Sequence, residues 1–170
     1  MSDALSEIRP YVEAFKRRGS SGEPAWLSAR REGAMKRFAE LGFPSRRQEA
    51  WRFTNLQSLQ KASFPPADDA ASIEASALAP WRYPGDVHRL VLVNGRFSPK
   101  LSAIGVLPKG VTLASTAQTL KQRPELLESA LRETDTIDGQ PFVSLNAALF
   151  EDGFVLALEA GAALDRPVTQ

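Results

Sequence analysis

The sequence predicts an α+β protein, and three observations carry that class. Apolar residues recur at helical spacing through the first 62 positions. Asn94-Gly95 sits between two β-prone runs, the preferred two-residue hairpin turn. After residue 86 the apolar runs are short and bounded by glycine and proline. Hydrophobic residues are 43% and charged residues 24% of the 170, enough apolar content to build a core and too much for wholesale disorder.

Taken in order, Ser2 or Asp3 can cap a helix running to about Arg18, with Leu5, Ile8, Val12 and Phe15 on one face. Pro10 lies inside it and is expected to kink or delay it, because proline lacks the amide that an inner helical turn needs. Gly19 to Gly22 breaks the pattern. Pro24 then opens a second helix whose stripe is Leu27, Ala34, Phe38 and Leu41, stopped by Gly42 and Pro44. A third, short helix is expected from about Ser45 to Phe53. Residues 63–85 read as a linker rich in Ala, Pro, Ser and Asp, with one helical turn near Ile73–Leu78 and with Trp81 and Tyr83 anchoring its end.

Beyond the linker, His88–Val93 and Arg96–Ser98 form the arms of the hairpin. Gly110–Ala114 reads as a strand. Thr116–Gln122 and Pro124–Arg132 read as helices split by Pro124, and Phe142–Phe150 as another helix. Phe154–Glu159 and the segment from Arg166 to Gln170 read as strands. The expected organisation is a helical region over 1–62, a linker over 63–85, a mixed α/β segment over 86–141 and a last segment over 142–170.

Charge divides along the chain. Residues 1–62 hold 12 Lys/Arg against 7 Asp/Glu, a net of +5; residues 63–170 hold 9 against 13, a net of −4. The sum of +1 is not that of a strongly basic nucleic-acid binder. Cysteine is zero and histidine is one, His88. Thiolate metal sites, cysteine ligation of Fe–S clusters, cysteine nucleophiles, disulfides and multi-histidine zinc sites are excluded together. No Gly-Lys-Ser/Thr phosphate loop and no Gly-x-Gly-x-x-Gly fingerprint is present. Asp135–Gly139 carries two acids and a glycine without the alternating oxygen ligands of a calcium loop.

The first 15 residues carry acids early and lack the apolar core of a signal peptide, and no apolar run approaches the roughly 20 residues of a membrane span. A cytoplasmic protein without a membrane partner is expected, and a cysteine-free chain agrees with a reducing compartment.

Three sets of side chains could carry function. Arg46, Arg47 and Arg52, beside Trp51, form a candidate partner contact, with Trp51 and Phe53 packing inward. A protein partner fits the small net charge better than a nucleic acid. His88 with Asp86 two residues earlier could be a base and its orienting acid in a small hydrolase; a surface histidine at the start of a strand is the plainer reading. Asn146, a polar residue in an apolar helix, would tie down neighbouring backbone if buried. No catalytic, cofactor-binding or metal-ligating residue is assigned.

Two stretches resemble the SufB/SufD family of iron–sulfur cluster assembly proteins, on its SufD side. One runs from Trp26-Leu27-x-x-Arg30 through Phe38-x-x-Leu41-Gly42-Phe43-Pro44-Ser45-Arg46-Arg47-x-Glu49-x-Trp51-Arg52-Phe53-Thr54-Asn55-Leu56. The other is Phe142-x-x-Leu145-Asn146-x-Ala148-x-Phe150-x-Asp152-Gly153, continuing through Leu156, Gly161, Leu164 and Pro167-Val168. Val93–Phe97 and Leu107–Val111 resemble the middle of the same family, so the likeness covers most of the chain in one order.

The resemblance implies a non-catalytic scaffold component that works in a complex with SufB and the ATPase SufC. It implies a helical N-terminal region followed by a right-handed parallel β-helix, with residues 142–170 as the start of that β-helix. Family members are longer, so the chain is expected to be an N-terminal portion. It is expected to hold no cofactor itself and to leave the strands at 154–159 and 166–170 as unpaired edges. Such edges recruit other chains, and self-association through the last strand is the expected consequence.

Overall fold

The structure is a computed structural model that describes residues 2–20, 22–62, 64, 73–132 and 139–170. It is mixed α/β, with helices and three two-stranded sheets. The chain divides into two compact units, one of Met1–Pro66 with Ala130–Phe150 and one of Ala67–Ser129 with Glu151–Gln170.

The first unit is helical. Helix α1 spans Ser2–Arg18 and runs through Pro10 without interruption, so the expected delay does not occur. Burial of Ile8, Tyr11 and Ala14 on one face, with Val12 and Phe15 partly covered, offsets the one amide that Pro10 cannot supply. The side chain of Leu5 lies outside the described part. Helix α2 spans Ala25–Leu41, entered from Pro24 and stopped at Gly42. Gly42 has φ 64°, a left-handed conformation that glycine adopts without a steric penalty, and its N–H donates to the Phe38 carbonyl at 2.8 Å. The buried stripe of α2 is Leu27, Arg31, Met35 and Phe38. Helix α6, Pro141–Leu149, lies along α2, and Ile8, Tyr11, Met35, Phe38 and Ala148 form the core of this unit.

The expected helix over Ser45–Phe53 is not formed. The segment is a series of tight turns around one 3₁₀ turn, Glu49–Trp51, and the next helix, α3, is Gln57–Lys61. Gln48, Trp51 and Arg52 donate their N–H groups to the carbonyls of Ser45, Gln48 and Glu49 at 2.9, 2.9 and 3.2 Å. Three-residue closures of this kind satisfy the backbone while Pro44 and two inward aromatic rings decide the path.

The second unit is built on short strands. Strand β1 is His88–Arg89, β2 is Leu92–Val93, β3 is Arg96–Phe97, β4 is Val111–Ser115, β5 is Phe154–Leu158 and β6 is Val168–Thr169. The hairpin β2–β3 turns at Asn94 (φ 49°) and Gly95 (φ 78°), the two positive angles that this turn demands. Strands β4 and β5 pair antiparallel with Val111 opposite Leu158 and Ser115 opposite Phe154. Strand β1 pairs parallel with β6, His88 opposite Val168. The strands near 154–159 and 166–170 thus each have one neighbour, β4 and β1, and each keeps its other edge open among the described residues. Helices α4, Thr116–Gln122, and α5, Pro124–Arg132, follow β4 as expected. A 3₁₀ segment at Ala75–Trp81 stands where one helical turn was expected. Trp81 is 85% exposed and Tyr83 is exposed too, so neither ring anchors the chain there.

Candidate functional site

Residues 43–56 form the best-defined candidate site, and aromatic packing positions them. Phe43 lies edge-to-face against Tyr11, Phe38 and Phe142 with ring centroids 5.7, 5.7 and 5.8 Å apart. Trp51 closes the series on Phe142 at 5.3 Å. Edge-to-face pairs at such distances add roughly 0.5–1.5 kcal/mol each beyond area burial. Phe43 and Trp51 thus hold both ends of the turn series, and Pro44 between them is fully buried.

The side chains between these anchors face solvent. Arg46, Arg47 and Arg52, with Pro44, Thr54, Asn55, Leu56 and Gln60, line a groove of about 510 Å³ that contains no carboxylate among its lining residues. The three arginines predicted as a partner contact are therefore brought together. Phe53, expected to pack inward with Trp51, is instead 86% exposed, with the Arg52 guanidinium 4.5 Å above its ring. Arg52 also pairs with Glu49 at 3.3 Å. Nε of Arg46 donates to the Arg52 carbonyl at 3.2 Å, which orients that guanidinium. Asn55 Oδ1 accepts from the Gln57 N–H at 3.0 Å, so its amide group is left to donate.

His88 is 0% exposed, not a surface residue. Its Nδ1 accepts from the Gly105 N–H at 3.2 Å and its Nε2 lies 3.1 Å from Asp165 Oδ1. Accepting at Nδ1 requires the Nε2–H tautomer, which donates to Asp165. Both ring nitrogens are thereby occupied. Asp86, the acid expected to orient it, pairs with Arg166 at 2.7 Å instead. The His88–Asp86 dyad is corrected to a closed His88–Asp165–Arg166 latch that ties β1 to the approach of β6. Asp165's carboxyl is held below its usual range, first by the His88 hydrogen bond and then by Arg166. A Cβ at Gly105 would lie 3.5 Å from the Arg166 guanidinium and 3.6 Å from His88, so the backbone approaches the latch closely there.

Two nodes were not found by sequence reasoning. Arg31 is 1% exposed in the middle of the α2 stripe. It pairs with Glu23 at 3.2 Å, donates to the Ala148 carbonyl at 3.1 Å and stacks 4.0 Å over the Phe150 ring. Its position on a helical apolar face was the only signal. Asp152 accepts from the Ala117 N–H and the Phe97 N–H, both at 3.0 Å, joining helix α4 to the hairpin. Asn146 is exposed, and its carbonyl ends α6 by accepting from the Phe150 N–H. The acids of the 135–139 segment lie outside the described residues. Among the described residues no group of three or more His, Cys, Asp or Glu side chains is placed to hold a metal ion, and no helix is long and apolar enough to cross a membrane.

The chain matches, over residues 9–169, a family described as the SufBD protein N-terminal region. It is also similar to an iron–sulfur cluster assembly SufBD family protein of Synechocystis sp., at 31% identity over a 179-residue alignment that covers 99% of this chain. The chain spans 39% of the length of that relative.

Proposed function

The chain belongs to the SufBD family, and from that premise we propose that it serves iron–sulfur cluster assembly as a non-catalytic scaffold component of a complex with SufB and SufC, on the SufD side. The family match across residues 9–169 is the observation that carries this reading. A non-enzymatic role accords with His88, whose two ring nitrogens are both engaged inside the protein. These 170 residues carry no cysteine and so offer a cluster no thiolate. The reducing cytoplasm is the proposed location.

On the same reading the parallel β1–β6 pair opens a right-handed parallel β-helix, and the exposed face of β5 (Phe154, Leu156 and Leu158) would be covered by its later coils or by a second copy of the chain. The test is genetic and biochemical. Deleting the gene should lower the activity of Fe–S-dependent enzymes under iron limitation, and tagged protein should co-purify with SufB and SufC. Unchanged enzyme activities together with no co-purification would overturn the proposal.

A further inference from the structure

The groove beside the exposed Phe53 ring has the composition of an anion receptor and the rigidity of a preformed one. Its wall supplies three guanidiniums together with the donors of Thr54, Asn55 and Gln60; Arg52 is paired with Glu49 outside the lining, and no acid within the lining neutralises Arg46 or Arg47. Arg47 has no carboxylate within ion-pair reach among the described residues, and Arg46 has only its Nε engaged, by a backbone carbonyl. That one bond fixes the plane of the Arg46 guanidinium and leaves its terminal N–H groups to donate to a carboxylate in two-pronged fashion. The turns that carry these arginines are closed by backbone hydrogen bonds and bolted at Trp51 to Phe142. The backbone therefore needs little ordering on binding, and the cost falls on the exposed arginine side chains.

We propose that this groove is a docking site for an acidic, extended protein segment, one that places two or more carboxylates on Arg46 and Arg47 and an apolar side chain against Phe53 and Leu56. An arginine–aromatic pair at a rigid, exposed position is the usual make-up of a binding hot spot. Three features favour a protein segment over nucleic acid. Polyphosphate binding draws on a long track of cations, whereas this chain has a net charge of +1. One face of Phe53 is already covered by Arg52, and the groove lining has no aromatic residue on which successive bases could stack. The floor of the groove is apolar, through Pro44 and Leu56. The proposal goes beyond the assembly role and does not depend on it.

The probe is a short fluorescein-labelled peptide in which glutamates alternate with leucines, titrated by fluorescence anisotropy into the full chain. Its glutamine counterpart and a single-stranded oligonucleotide of similar length are run beside it. The glutamate peptide is expected to bind, to weaken as salt is raised, and to lose roughly tenfold or more in affinity in the R46E/R47E double variant. The glutamine peptide should bind far more weakly. Both arginines are exposed, so the variant should keep the far-UV circular dichroism of the parent; R47E alone, at the side chain with no internal partner, gives the same comparison with less perturbation. No binding of the acidic peptide, binding indifferent to either charge reversal, or tighter binding of the oligonucleotide would each overturn the proposal. Because this is read in a cuvette and the assembly role in cells, either can fail without the other.

Discussion

The two compact units solve the burial problem differently. The helical unit packs five of its large rings together: Tyr11, Phe38, Phe43, Trp51 and Phe142 touch one another in series, and Phe38 is fully buried, while Phe53 and Phe64 stay exposed. The stranded unit leaves Trp81, Tyr83, Val106, Phe154, Leu156 and Leu158 exposed, and beside its buried Leu90, Val93, Leu113 and Leu127 it buries the polar His88, Ser115, Thr116 and Thr119. One is held chiefly by a cluster of rings, the other by a smaller apolar core together with hydrogen-bonded nodes at His88, Asp152 and Ser115. The difference teaches where each unit is vulnerable. A helix pair closes a core from local periodicity, whereas a two-stranded ribbon has only one neighbour per strand and cannot cover both faces.

Breaking that contrast begins with the ring cluster. Phe38→Ala should cost about 3–5 kcal/mol, because it removes the ring shared by α1, α2 and Phe43 and leaves a cavity. Urea unfolding followed by circular dichroism checks this, and a loss below about 1 kcal/mol would mean that the cluster is not the core of its unit. In the stranded unit a buried polar residue should matter as well. His88→Ala leaves the Gly105 N–H and the Asp165 carboxylate without their ring partner and should cost about 1–3 kcal/mol. A loss as large as that of Phe38→Ala would erase the distinction drawn here.

A smaller change is expected at the start of α4. Ser115 Oγ accepts from the Gln118 N–H at 3.0 Å, and Ser115→Ala should cost about 1 kcal/mol, the usual worth of an N-cap. The smallest effect is a pH dependence confined to the latch. Asp165 is held below its ordinary value, so its contribution is complete above the unfolded carboxylate range of about 3.9 and is lost as pH falls through the lower folded value. Amide exchange of His88 and Leu90, whose N–H groups donate to Pro167 and Thr169, should speed up in that acid window before the helical unit responds. Loss of their protection already near neutral pH would show that Asp165 is not what holds β6.

Much of this architecture is legible in the order of residues, and the features that are legible are local. Gly42 after Phe38 ends a helix, Asn94-Gly95 reverses a chain, and Pro24 and Pro141 open helices, because each acts through its own dihedral angles or its missing amide. The candidate groove was legible in part: three arginines close in sequence were bound to be close in space. Phe53 was misassigned because alternate inward and outward rings in a tight turn follow no helical period. Asp165, 77 residues from His88, and Ala148, 117 residues from Arg31, could not be foreseen as partners.

By itself, then, the sequence determined the class, most of the elements and the chemistry that is out of reach, but not the turns over 45–53 or the division of the expected arm His88–Val93 into β1 and β2. With one imidazole and no thiol, nothing about the folding of the chain could restore a thiolate site. Tertiary structure alone decided that the ring of His88 lies between Gly105 and Asp165, that Asp86 belongs to Arg166, and that Arg31 sits inside the helical unit. Local signals act over a few bonds and are written in neighbouring residues. The state of a polar side chain is set by whatever the folded chain brings within about 3 Å of it, and no spacing records that.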